Sequence, residues 1–367
     1  MRRLIAKGLR GGAVRFGICV GGIAVSTMLV LVLLGAYRSV SAAVIQFVGR
    51  SRAGLWIGPR GTDNLIRSSG YLDLGMLEEI RSMPGVSRVD PIVRAFVTAE
   101  SKGRRLTLLG IRFRAPDGLG GPSVLVAGKM PQGLSEVALD RAAAHLLNVR
   151  LNDSLSLNGT EVKVVAITSG TNLLATQFVF GDIDSTVQRL IPSASFVLIE
   201  AKAGASIEHV GAHIRQRFPD VEVMSRDAFI RNNLRETGSG FLPMLLLISL
   251  LGVASSALLV AFLIEGVVEE RRGELAVLLA TGATPSAISS GLAIHAAKLL
   301  GAGIVIGAIA AHLLAATIDL VAPVIPLSFS IADMSVVAAL LAMSGFLAAL
   351  VPLFRLKDID PLEAFRS

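Results

Sequence analysis

Four stretches of this chain carry no charged residue and are long enough to cross a lipid bilayer: Phe16–Tyr37, Thr237–Ile264, Leu299–Ile318 and Met334–Phe354. A hydrocarbon core about 30 Å thick takes roughly 20 helical residues. Inside it every backbone amide must be satisfied within the protein, so a segment of this kind is a helix. Composition agrees, with 52% hydrophobic and 17% charged residues and a mean hydropathy of +0.65, too apolar for an ordinary soluble domain. The first stretch follows Arg2, Arg3, Lys7, Arg10 and Arg15 as a signal peptide would. It is longer than the roughly 7–15 apolar residues of such a leader, and reads as a span.

Orientation follows from the basic residues near the span ends. The leader 1–15 holds five of them and no acid, the segment 265–285 holds Arg271 and Arg272, and the tail 355–367 holds Arg355, Lys357 and Arg366. The connection 319–333 holds none. The expectation is a multi-pass protein of the cell (inner) membrane with both termini inside. Its spans are 16–37, 237–264, 286–318 and 334–354, with region 38–236 outside. That region has 24 basic and 19 acidic residues, a mild excess that reads as a solvated surface. Lys298 borders the third span on the inner side, where a long side chain snorkels to the headgroups.

The exported region reads as mixed α+β. Leu72–Met83 has helical apolar spacing and ends at Pro84–Gly85, and Val86–Ala99 reads as a strand. Asp140–Leu147 is a short helix started by an Asp cap. Ser154–Leu157 and Val162–Ile167 flank Asn158–Gly159, the dipeptide that suits a tight hairpin because both central residues tolerate positive φ. Ser195–Glu200, Ser206–Phe218 and Val221–Met224 then read as strand, helix and strand. The single cysteine, Cys19, lies in the first span and excludes an intrachain disulfide.

Catalytic and cofactor signals are sparse. The one Gly-Lys pair, Gly128–Lys129, lacks the rest of a phosphate-binding loop. No cofactor is therefore expected in this chain, and no enzyme activity or nucleic-acid binding is expected. His209 and His213, four apart, could face one metal but lack a third ligand. The cluster Gly118–Gly121 reads as a turn. Gly17/Gly21 and Gly303/Gly307 are spaced for close helix packing in lipid.

What remains is a charged run between the second and third spans: Glu269-Glu270-Arg271-Arg272-Gly273-Glu274-Leu275-Ala276-Val277-Leu278-Leu279-Ala280-Thr281-Gly282-Ala283-Thr284. This run, together with the ending Asp360-Pro361-Leu362-Glu363-Ala364-Phe365-Arg366, resembles the FtsX-like permeases of ABC transporters, the group that includes MacB, LolC/LolE and DevC. Gly128-Lys129-Met130-Pro131, followed by Glu136-Val137-Ala138-Leu139-Asp140, is similar to the MacB-type periplasmic core. That pattern usually has Gly-Asp before the hairpin where this chain has Asn152-Asp153, and many relatives have Glu-Ala where His295-Ala296 stands.

The resemblance implies four transmembrane helices, one before and three after a large exported α+β domain. It also implies an ATPase, a separate subunit to which ATP and Mg belong, and a coupling helix that docks on it. Its contact residues would be Glu269, Glu270, Arg271, Arg272, Glu274, Leu275, Leu278, Gly282 and Ala283, with Asp360, Pro361 and Glu363 of the tail beside them. The implied partners are an ABC ATPase, a second permease copy, membrane lipid and an outside protein such as a membrane-fusion protein. The implied function is mechanotransmission for export or extraction of a hydrophobic or envelope substrate. The alternative within the same family is an FtsX-like regulator of an extracytoplasmic enzyme.

Overall fold

The computed structural model of the chain describes residues 2–66, 70–171, 176–183, 193–270, 272–281, 284–321, 327 and 329–355. In chain order the elements begin with α1 (Arg2–Gly49), β1 (Leu55–Pro59), β2 (Leu72–Asp73), α2 (Met76–Ser82), β3 (Val86–Ser101) and β4 (Arg104–Phe113). There follow β5 (Val124–Gly128), β6 (Glu136–Asp140), α3 (Arg141–Leu147), β7 (Ser154–Leu157), β8 (Thr160–Ser169) and β9 (Phe178–Asp182). Next come β10 (Ser193–Ala194), β11 (Phe196–Ala201), α4 (Ile207–Arg217), β12 (Val221–Ser225) and α5 (Arg226–Glu270). The chain ends with α6 (Arg272–Ala280), α7 (Pro285–Val321) and α8 (Ile331–Arg355). Two compact units result: Met1–Ala36 with Leu242–Thr317 and Leu327–Ser367, and Tyr37–Phe241 with Ile318–Pro326.

Among the described residues, four helices are long and apolar enough to cross a membrane, at Val14–Gly49, Leu242–Glu270, Ala287–Ile318 and Ile331–Leu350. The first unit packs them around Cys19, Ile23, Val260, Leu263, Ile264, Leu299 and Leu300. Helix starts follow local capping chemistry. Ser330 and Asp333 form a reciprocal box at the head of α8, the Asp333 amide donating to Ser330 Oγ at 3.1 Å and the Ser330 amide to Asp333 Oδ2 at 3.0 Å. Thr284 caps α7 through its hydroxyl oxygen, which accepts from Ala287 N at 3.4 Å. Pro285 occupies the first helical position, where a missing N–H costs nothing.

In the second unit, β3 is shared by two substructures. Its first half, Val86–Ile92, pairs with β11, continuing the antiparallel order β12-β1-β11-β3. Its second half, Val93–Ser101, pairs with β4, and from there the strands close a circuit, β3-β4-β9-β6-β8-β7-β3. The result is a small barrel with parallel pairs only at β4–β9 and β6–β8. Side-chain alternation divides its two cores, with a bulge on β8, where Val137 and Ala138 pair with Val164 and Ala166, that turns those two β8 residues to opposite faces. Leu108, Val137, Leu139, Val164 and Val179 join Ala143 and Leu147 of α3 in one cluster. Leu109, Ala138, Ala166, Phe178 and Phe180 face the other way, into a cluster with Phe47 of α1 and Phe229 of α5. The open part of the sheet alternates likewise: Trp56, Phe196, Leu198 and Met224 join that aromatic cluster, whereas Leu55, Ile57, Val197, Ile199 and Val223 pack under α2 and α4.

The hairpin expected at Asn158–Gly159 is present between β7 and β8, with φ of 49° and 84° at the two residues. Asp140 caps α3, its Oδ1 accepting from Ala142 N at 2.8 Å and its Oδ2 from the Thr171 hydroxyl at 2.6 Å. Burial pushes this carboxyl above the ordinary aspartate range, and those hydrogen bonds pull part of the way back. Asn152 has φ 72°, a left-handed backbone that Asn tolerates better than most residues.

One expectation shifts. The helix expected from Leu72 starts at Met76, because Leu72–Asp73 pairs with β10 and Asp73 Oδ1 accepts from Gly75 N at 2.9 Å, turning the chain first. Elsewhere helix outruns apolar sequence: α1 continues to Gly49, beyond the apolar limit at Tyr37, and α5 begins at Arg226, ahead of Thr237. Pro243 lies inside α5, which continues on both sides of it although Pro removes one amide donor.

Candidate coupling site

The charged run divides between two helices. Glu269 and Glu270 form the exposed end of α5, while Arg272 and Glu274 lie in the first turn of α6. Arg272 Nη1 lies 3.9 Å from Glu269 Oε1, an ion pair across the junction. An acidic residue in the first turn of a helix faces the positive end of its dipole, which suits Glu274. Within α6 Ala276 is fully buried and Val277 is 49% exposed. Glu274, Val277 and Thr281 recur at helical spacing on one exposed face, and Ala276 lies off it. At the end of α6 the Thr281 hydroxyl donates to the Val277 carbonyl at 3.0 Å.

The structure therefore gathers Glu269, Glu270, Arg272 and Glu274 on neighbouring turns. Of Leu275 and Leu278, the backbone lies within α6. Arg271, Gly282, Ala283 and the tail residues Asp360, Pro361 and Glu363 lie outside the described residues.

Sequence reading missed one partner of this corner. Arg15 of α1 places Nη2 2.8 Å from Glu270 Oε1. One turn earlier on α5, a Cβ added to Gly266 would stand 2.5 Å from Arg15 Nη1, so the guanidinium lies directly against a bare stretch of helix backbone. The two residues are far apart in sequence, and no local periodicity signals their pairing.

The two glycine pairs of the spans behave differently. A Cβ at Gly303 would meet Ile23 Cγ2 at 2.6 Å, and one at Gly307 would meet Thr27 Cβ at 2.6 Å as well as the carbonyl of Ala24. α7 thus approaches α1 as closely as backbone permits. A Cβ at Gly17 or Gly21 would meet nothing within 4 Å in this chain.

Other candidates resolve plainly. His209 and His213 lie exposed on α4, and among the described residues no group of three or more His, Cys, Asp or Glu is placed to hold a metal. The Gly118–Gly121 cluster is a turn whose Leu119 amide donates to the buried Asp90 Oδ2 at 3.1 Å. A Cβ at Gly121 would press on the Phe113 ring at 2.7 Å, so the glycines serve packing. Lys298 is exposed, and His295 lies 5.7 Å from Phe16 between ring centroids.

Residues 16–217 match the MacB-like periplasmic core domain, and residues 246–361 match the FtsX-like permease C-terminal region. No curated protein matches the chain. Among solved structures it is similar to the extracellular domain of the noncanonic ABC-type transporter YknZ from Gram-positive bacteria, with 11% identity and a TM-score of 0.37 over 47% of this chain and 99% of that one. It is similar also to the periplasmic region of MacB from Actinobacillus actinomycetemcomitans, with 12% identity and a TM-score of 0.38 over 51% of this chain and 96% of that one. The core-domain match alone spans more than half of the chain, and the permease match takes in three of the four spans and the charged corner. Membership of this kind implies an ATPase and a second permease copy as partners. The chain thus belongs to the family of MacB-like, FtsX-like permeases, as a multi-pass membrane subunit of the ABC-transporter type that moves an extracytoplasmic domain.

Proposed function

We propose that the segment from Arg272 to Thr284 docks on the partner ATPase, and that α5 carries the displacement outward to drive export or extraction of a hydrophobic or envelope substrate. The observation that carries this reading is α5 itself. Its 45 residues form one helix from Arg226 to Glu270, about 67 Å at 1.5 Å per residue. Three residues into it, Phe229 sits fully buried in the aromatic cluster of the second unit. At its other end the charged pair Glu269–Arg272 leads directly into α6.

The docking surface is the exposed face of α6, where Glu274 and Val277 stand one turn apart. Exposed charges at such a contact set orientation and encounter more than affinity, so Val277 and its apolar neighbours provide the grip. The working unit is a homodimer, each copy with its own ATPase contact, and an outside protein such as a membrane-fusion protein completes the export path.

The test is co-purification of the full chain with its ATPase after Glu274→Ala and Leu275→Ala, with ATP turnover measured in the same preparations. The reading expects loss of the ATPase and of the turnover that the permease stimulates. Unchanged assembly and turnover in both variants would overturn it.

A further inference from the structure

We infer that Glu270 serves the chain itself: Arg15 and Glu270 form a latch that holds the inner end of α5 against α1 and so sets the resting position of α6. The inference rests on the coupling reading above for its consequence, but its geometry stands independently.

Three observations converge on the pair. Arg15 Nη2 and Glu270 Oε1 are 2.8 Å apart, a charge-assisted hydrogen bond. Glu270 is the last residue of α5, so Arg15 also lies at the negative end of that helix's dipole, where a cation is favoured. Gly266 stands one turn back, where any side chain would displace the guanidinium. The pair is thus accommodated by the backbone of α5, beyond the contact of two long side chains.

The latch is built to open. Its side chains are 37% and 55% exposed, and an exposed pair contributes little to stability, a bias that an ATPase stroke can overcome. The apolar contacts below it, among them Cys19, Leu263 and Ile264, keep α1 and α5 associated when the charges part. Beside Arg15 the surface between α1 and α5 is an open apolar groove lined by Val14, Ile18, Leu259 and Phe262. Glu270 accordingly acts as a positioning residue for α6, one step removed from the ATPase.

Reciprocal charge exchange tests this. The variants are Arg15→Glu, Glu270→Arg and the two combined, each reconstituted as full chain with the ATPase in nanodiscs. Each single variant should keep the ATPase and raise substrate-free ATP turnover by roughly two- to fivefold, the range an exposed ion pair can bias, and the double variant should return to the wild-type rate. Single variants that turn over like wild type would overturn the latch. So would loss of the ATPase in Glu270→Arg without recovery in the double variant, because Glu270 would then be an ATPase contact. A second measurement needs no ATPase, and separates failure of the latch from failure of the docking reading. Spin labels at Val14→Cys and Gly273→Cys in a Cys19→Ala background should give a narrow distance distribution in wild type and double variant, and a broad one in the single variants. Equal distributions in all four chains would overturn the latch whatever the ATPase does.

Discussion

The indole of Trp56 on β1 lies flat on the ring of Phe229 in the first turn of α5, with centroids 4.4 Å apart and planes 16° from parallel. Both side chains are fully buried, and Phe196 packs against each of them at 6.0 and 5.4 Å. The helix that leads to the charged corner is therefore rooted in the sheet by an aromatic stack.

Removing that root has a measurable cost. Phe229→Ala deletes a fully buried ring, and truncations of this kind cost about 3–5 kcal/mol. Trp56 is the sole tryptophan, so denaturant unfolding followed by its emission reports the loss directly. The variant is expected to show a lower midpoint and a red-shifted native spectrum, whereas Phe229→Leu should lose much less.

Asp140 gives a pH dependence with a definite sign. It is 2% exposed, and burial raises its folded pKa above the ordinary aspartate value. The folded state therefore binds the proton more tightly than the unfolded chain. Stability from this group is fully present below the ordinary aspartate value, and declines as pH rises through the window up to the raised one. Asp140→Asn keeps a cap for α3 and removes the buried charge. It should be more stable than wild type at pH 7, with the advantage vanishing as the pH falls below the aspartate range. A difference that stays constant with pH would contradict the assignment.

The glycines of the spans predict unequal tolerance. Gly307→Val places side-chain atoms where Thr27 and the Ala24 carbonyl already stand, and overpacking of this kind costs about 1–3 kcal/mol. Gly17→Val and Gly21→Val meet open space within the chain. Thermal stability of the monomeric fraction in detergent should fall for Gly307→Val and hold for the other two. Loss of the dimer alone in Gly17→Val or Gly21→Val would place the second copy on that face.

Much of the architecture was legible because its signals are local. Absence of charge marks the four spans, Asn158–Gly159 marks a turn that needs positive φ at both residues, and Asp140 marks a helix start. The motif around Glu274 located the corner. The extents of α1 and α5 were not legible: Arg38 and Glu236 end the uncharged runs, and the helices continue past them where Phe47 and Phe229 pack into the sheet. Barrel closure depends on pairings such as Ala99 with Leu157 and Leu109 with Phe178, which no local periodicity encodes. The same is true of Arg15 and Glu270, whose side chains meet only because α1 and α5 pack together.

The central claim is that ATP binding inside moves the domain outside through α5 and α6. The most direct measurement places one spin label per chain at the exposed Glu161, as Glu161→Cys with Cys19→Ala, in the homodimer reconstituted with its ATPase. The distance between the two labels is then read with ADP and with a non-hydrolysable ATP analogue. The account predicts a shifted distribution with the ATP analogue, and no shift when α6 carries Glu274→Ala and Leu275→Ala. A distribution identical in both nucleotide states, in a complex whose ATPase is turning over, would contradict it.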